Sequence, residues 1–112
     1  MPPPIRVAIV QPALPAYRVP VFRELAGREG LDCTLHFATQ PDMTNAEPDG
    51  FAGEPVRQYN LRLGRQTFIV VPALWSLAAR TDVLVASWNN RSALLLPALH
   101  RARKRGVGTV VW

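Results

Sequence analysis

Residues 5–25, IRVAIVQPALPAYRVPVFREL, decide the fold class of this chain. Ile5 to Val10 is apolar except for Arg6 and rich in β-branched residues. That composition suits a strand covered on both faces, the usual state of a central parallel strand. Pro12, Pro15 and Pro20 forbid continued pairing, so the strand stops near Gln11. Pro20 fits the first turn of a helix, where its missing N–H costs nothing. In that helix Val21, Phe22, Leu25 and Ala26 fall on one face and Arg23, Glu24 and Arg28 on the other. Glu24 and Arg28 also stand four apart in the favourable order. A strand feeding a helix at the start of the chain predicts an α/β domain with its first strand in the middle.

Outward from that stretch, Gly27 and Gly30 supply stop signals. Leu31 to Thr39 alternates Leu31, Cys33, Leu35 and Phe37 against Asp32, Thr34 and His36, a second strand with one more polar face. Gln40 to Glu54 is rich in turn formers and reads as a long surface loop, mobile unless a partner orders it. Val56 to Val71 admits two readings, a hairpin turning near Leu63-Gly64-Arg65 or a strand followed by an irregular crossing. Pro72 opens a short helix that ends before Thr81, and Val83 to Ser87 is another apolar strand. Ser92 to Arg105 reads as a helix with Leu94, Leu95, Ala98, Leu99 and Ala102 inward, kinked or delayed in its start by Pro97. Gly106 stops it, and Val107 to Trp112 begins a fifth strand. The alternation predicts a Rossmann-like, doubly wound, mainly parallel sheet, with strand order 3-2-1-4-5 from right-handed crossovers. The chain ends at Trp112 on an apolar strand that such a sheet should bury, so the expectation is either a piece of a longer chain or an ordered part that stops there.

The chain has 112 residues, enough for one domain, and is 48% hydrophobic. Its formal charge is +5, and from Arg57 onward nine bases face one acid, Asp82. A cationic second half favours an anionic partner: phosphate, an acidic lipid surface or nucleic acid. Arg57, Arg62 and Arg65, next to an apolar stretch holding Trp75, are the better candidates for peripheral membrane contact. Arg101, Arg103, Lys104 and Arg105 read as a solvated helix end. Cys33 is the lone cysteine and reads as an inert thiol, with His36 on the opposite strand face. No signal peptide or membrane-spanning run is visible, so a cytoplasmic protein is expected, at most peripheral on the inner membrane face. His36 and His100 stand alone, no His/Cys cluster has metal spacing, and no glycine-rich phosphate cradle follows the first strand.

In a doubly wound sheet, ligands bind beyond the carboxyl ends of the strands where the winding reverses, here between strands one and four. The loops opening there offer Gln11, Tyr17 and Arg18 on one side and Trp88, Asn89, Asn90, Arg91 and Ser92 on the other. Two arginines, two aromatics and two helix starts around one crevice favour an anionic or sugar-like ligand. The plainer reading is that Asn89 or Asn90 caps its helix and Tyr17 packs its loop.

These residues resemble a known family. RVAIVQ followed by PAYRVPVFRELA resembles the opening of family 4 glycosyltransferases of the GT-B fold, where the helix carries a YR-x-P-x-F-x-x-L pattern, here Tyr17, Arg18, Pro20, Phe22 and Leu25. The stretch TDVLVASWNNRSALLLPALHRARKRGVGTVVW is similar to their fourth strand, helix and fifth strand. The resemblance covers most of the chain outside about residues 40 to 80. It implies that residues 1–112 are part of an N-terminal, acceptor-side Rossmann-like domain of a two-domain enzyme. The nucleotide-sugar donor and the paired glutamates would belong to a C-terminal domain outside this chain, so the chain alone should be inactive, with no cofactor of its own and no metal. The expected function is acceptor binding in a transferase for cell-surface polysaccharide or glycolipid synthesis, with a sugar or lipid-linked acceptor at Gln11, Tyr17, Arg18, Trp88, Asn89, Asn90, Arg91 and Ser92. No catalytic residue is assigned and no nucleic-acid partner is expected. The rival readings are a stand-alone flavodoxin-like binding module and a basic domain that meets membranes or nucleic acid.

Overall fold

A computed structural model of the chain describes residues 3–39 and 45–112. Strand β1 (Ile5–Gln11) lies in the middle of a five-stranded sheet with β2 (Leu31–Ala38), β3 (Ala52–Val56), β6 (Val83–Ala86) and β7 (Gly108–Val111). The order across it is β3-β2-β1-β6-β7, and every pairing is parallel. Counting these five strands alone gives 3-2-1-4-5. A separate antiparallel hairpin, β4 (Tyr59–Leu63) and β5 (Gln66–Val70), follows β3 in the chain. Helix α1 (Val19–Ala26) follows a short 3-10 turn (Ala16–Arg18), and α2 (Pro72–Leu77) and α3 (Leu95–Lys104) flank β6 in sequence.

The period-2 alternation of the strands sorts the core into two layers. On one face Ile9, Leu35 and Phe37 pack against Leu14, Val19 and Phe22. On the other, Ala8, Val10, Leu84 and Ala86 pack against Leu74, Leu77, Ala78, Leu95, Ala98 and Ala102 of the α2 and α3 layer. Leu14 and Leu84 are the largest fully enclosed side chains, one in each layer. Gly30, at φ +84°, makes the left-handed turn into β2, where its carbonyl accepts the Ile5 N–H at 2.9 Å. At the amino edge of β1 the Arg6 N–H donates to Asp82 Oδ2 at 2.8 Å while the Asp82 N–H returns to the Arg6 carbonyl at 3.0 Å.

Five expectations change. Ala52–Val56 is an edge strand beside β2, not loop. Its AGEPV sequence shows no apolar alternation, and Pro55 is tolerated because an edge strand can leave one N–H site unused. Residues 45–54 are also tied down: Asn45 Oδ1 accepts the Leu14 N–H at 2.8 Å, its amide donates to the Ala38 carbonyl at 3.2 Å, and Arg23 pairs with Asp49 at 2.8 Å. Residues 40–44 of the expected loop lie outside the described residues. Val21 is 49% exposed, because Val19, two residues earlier, takes the buried place with Phe22. α3 starts at Leu95 rather than Ser92, with Pro97 in its first turn. β7 is exposed along its length as the sheet's outer strand, where burial was expected. Between the two readings of residues 56–71 the hairpin is correct. Its Gly64, at φ +64° before an ordinary Arg65, is what a two-residue hairpin loop with glycine first requires.

Candidate functional site

Where β1 and β6 end at their carboxyl edge, the chain leaves a cavity of about 90 Å³. Val10 and Ala86, the last inward residues of the two strands, lie in its wall with Val71 and Leu74 from the start of α2. Gln11, Pro12, Ser87, Trp88, Asn89 and Ser92 come from the loops that leave the strands, and Gln58 and Ile69 from the hairpin segment. The cavity therefore sits at the switch point of the winding, between the strands that carry chain direction outward on either side.

The walls are apolar, with a few polar groups placed among them. Gln11 is 5% exposed, and its amide nitrogen is buried without a protein partner. The Ser92 hydroxyl is likewise buried and unpartnered. Both donors belong to cavity-lining residues but are themselves enclosed, so a ligand that satisfied them would need a small side-chain movement; an unpartnered buried donor carries a desolvation cost of roughly 1–3 kcal/mol. Asn89 has a different task. Its Oδ1 accepts the Arg91 N–H at 2.9 Å and its carbonyl accepts the Ser92 N–H at 3.1 Å, a tight Asx-type turn.

That turn is locked to the hairpin. The Ile69 N–H donates to the Arg91 carbonyl and the Ala93 N–H to the Ile69 carbonyl, both at 2.9 Å, bridging Ile69 to Ser92. Backbone groups of residues 91–93 are thus committed sideways, which is why α3 cannot begin before Leu95. The expected helix start directly behind Ser92 is absent for the same reason, and neither asparagine caps α3, whose N-cap is Leu94 without a side-chain bond.

At the mouth stands an aromatic rim. Trp88 is 61% exposed, and its N–H donates to the Trp112 carbonyl at 2.7 Å. The Trp112 indole N–H donates to Ser87 Oγ at 3.3 Å. The Arg18 guanidinium lies 5.3 Å from the Trp112 ring and 5.9 Å from Tyr17, whose ring is 76% exposed. Cavity wall and rim are therefore one connected surface from Ser87 through Trp112 and Arg18 to Tyr17.

Of the eight residues named from sequence, Gln11, Trp88, Asn89 and Ser92 line the cavity. Tyr17 and Arg18 stand on the rim. Asn90 and Arg91 are exposed on the turn and do not line it. Sequence reasoning missed Ser87, Gln58, Ile69 and Trp112. Ser87 follows β6 directly and falls under the same carboxyl-edge rule. Gln58 and Ile69 arrive only because the hairpin folds back over the site, and no local pattern announces that.

Away from the cavity, burial pushes the Cys33 thiol up, helped by Asp32, which keeps it protonated and poorly nucleophilic. Cys33 sits against Ile9, Phe22 and Leu35 on the α1 face. Among the described residues no group of three or more His, Cys, Asp or Glu side chains could hold a metal ion, and no helix is long and apolar enough to cross a membrane. No protein-family model matches the chain, and no curated protein matches it in sequence.

Proposed function

We propose that the chain is the acceptor-binding side of a nucleotide-sugar-dependent glycosyltransferase with a Rossmann-like N-terminal half of the GT-B kind. The observation that carries the reading is the pair of buried, unpartnered donors, Gln11 Nε2 and Ser92 Oγ, on two residues that line an apolar cavity at the sheet's switch point. A sugar presents hydroxyl oxygens that accept such donors and C–H faces that pack on apolar and aromatic walls. Trp88 and Tyr17 offer exposed ring faces at the mouth, and Arg18 offers a fixed cation for a phosphate attached to the sugar. The resemblance of the first strand, loop and helix to family 4 glycosyltransferases supports the same assignment. In this reading the donor nucleotide and the transfer chemistry belong to a second domain, and this chain binds, orients and desolvates the acceptor.

The test is a titration of the protein with neutral methyl glycosides and with short-chain alkyl phosphosugars, followed by tryptophan fluorescence of Trp88 and Trp112. Saturable quenching is expected, tighter for the phosphosugars. Gln11→Met keeps the shape and removes the amide, so it should weaken binding by about tenfold, the size of one buried hydrogen bond to a ligand. The same variant should melt at the wild-type temperature or higher, since an unsatisfied buried donor is gone. Sugars that never saturate the signal, or a Gln11→Met variant that binds them as well as wild type, would refute the assignment. A flavin that binds where sugars do not would favour the flavodoxin-like rival.

A further inference from the structure

We propose that the outward face of the β4–β5 hairpin is an interfacial element that docks the protein on an anionic phospholipid bilayer. The antiparallel register sets Tyr59 opposite Val70 and Leu61 opposite Phe68, so these four share a face with Leu63. The reverse face carries Asn60, Arg62 and Thr67 together with Ile69, the residue that lines the cavity. On this face Tyr59, Leu61 and Leu63 of the outer strand are 50%, 50% and 59% exposed, while Phe68 and Val70 beside them are half-buried. The whole of β4 is exposed, on a ribbon that joins the body through the Ile69–Ser92 bridge. A contiguous row of solvated apolar side chains bordered by polar groups marks a contact surface.

The charges around this face say what the contact is. Residues 55–81 contain Arg57, Arg62, Arg65 and Arg80 and no acidic residue. Arg57 is exposed two residues before Tyr59, at one end of the apolar row. At the other, Arg65 is exposed in the turn, and Arg62 Nε curls back to the Gly64 carbonyl at 3.4 Å. Guanidinium groups at both ends match phosphodiester headgroups, leucines between them suit the acyl boundary, and a tyrosine belongs at headgroup depth. Three half-exposed side chains fall well short of the roughly 800 Å² per partner of a specific protein interface, whereas bilayer affinity adds a small apolar area to the attraction between the arginines and anionic headgroups. Trp75, named beside these arginines from sequence, is on α2 with the Arg101 guanidinium 4.4 Å from its ring, and it is not part of this face. The proposal does not depend on the glycosyltransferase reading.

Co-sedimentation with phosphatidylcholine vesicles, with and without about a quarter phosphatidylglycerol, tests it. Wild type should bind the anionic vesicles and lose them as salt rises. Leu61→Ser with Leu63→Ser should lower partitioning at least about tenfold, since two leucine side chains leave the acyl boundary. Arg57→Gln or Arg65→Gln should lower it about fivefold each. All four side chains are exposed, so an unchanged melting temperature certifies that each variant is folded. The proposal is overturned if anionic vesicles do not retain wild type, or if neutral vesicles retain it equally. It is also overturned if the double-leucine variant partitions as wild type does, or if that variant instead dissolves a concentration-dependent dimer. The last result would make the face a contact between copies of the chain.

Discussion

His36 is a buried titratable side chain whose charge state the fold controls. It is 8% exposed on the β2 face that carries the α2 and α3 layer, with Nδ1 3.7 Å from Glu54 Oε2. Burial pulls its pKa below the ordinary value of 6.5; Glu54 pulls it up, Arg80 pulls it down again, and burial prevails. The unfolded chain therefore binds a proton here more readily than the native chain does. Stability is full above about pH 7 and falls as pH drops through the unfolded value, levelling off below the native one. Asp82 works in a separate window. The Arg6 N–H and guanidinium hold its carboxyl below the ordinary 3.8, so its contribution persists until far more acidic pH. Denaturant unfolding between about pH 7 and 5 should show a falling stability that His36→Leu flattens, while the acid limb stays. A flat wild-type profile in that interval would contradict the burial argument. Gln11 is another buried polar side chain, and the two differ instructively. His36 has an ion partner within reach, whereas the Gln11 nitrogen is buried with no partner, on a residue that lines the cavity.

At the scale of elements, the hairpin shows how a turn residue sets a surface. Gly64 has φ +64°, and a Cβ there would meet nothing within 4 Å. Gly64→Ala is therefore a test of backbone conformation alone, with a cost of about 1 kcal/mol. Because a two-stranded ribbon is marginal by itself, the cost should fall on local opening rather than on global unfolding. Trypsin should then cut at Arg62 and Arg65 about fivefold faster, with the global melting temperature little changed. Equal cutting rates would mean that the turn is held by contacts other than its own geometry. The same segment marks the limit of what the sequence discloses. β1 and β6 were legible because burial on two faces demands apolar, β-branched runs, β2 because its apolar residues alternate with polar ones, and the loops behind β1 and β6 followed from the switch-point rule. Ala52–Val56 was not, since an edge strand borrows its order from the free edge of β2 and needs no apolar pattern of its own. The late start of α3 was hidden too, because its cause is the pairing of Ile69 with residues 91–93 from a distant part of the chain. Half of the named site residues reach the cavity for the reason that predicted them. The hairpin's Ile69 and the neighbouring Gln58 arrive by tertiary folding alone.

Across the whole molecule, stability should grade from the sheet centre outward. Ile9, Leu35 and Leu84 are enclosed on both sides of the sheet, while β7 and β4 are exposed along their lengths. The molecule is elongated, 53 × 34 × 19 Å, so much of the chain lies near solvent. Amide hydrogen exchange should therefore be slowest in β1, β2 and β6, opening only with global unfolding, and faster by sub-global opening in β4 and β7. The cavity couples this gradient to binding, because one wall belongs to the stable centre, at Val10 and Ala86, and another to the hairpin, at Ile69. A ligand held between them binds only the closed arrangement, so it suppresses hairpin opening by a factor of 1 + [L]/Kd. At about a hundred times Kd, exchange at Ile69 should slow roughly a hundredfold. The same ligand should leave exchange in β7, which lines no part of the cavity, at its sub-global rate. Uniform slowing of all strands would mean that the hairpin opens only with the whole molecule, and no slowing at Ile69 would mean that the ligand sits elsewhere.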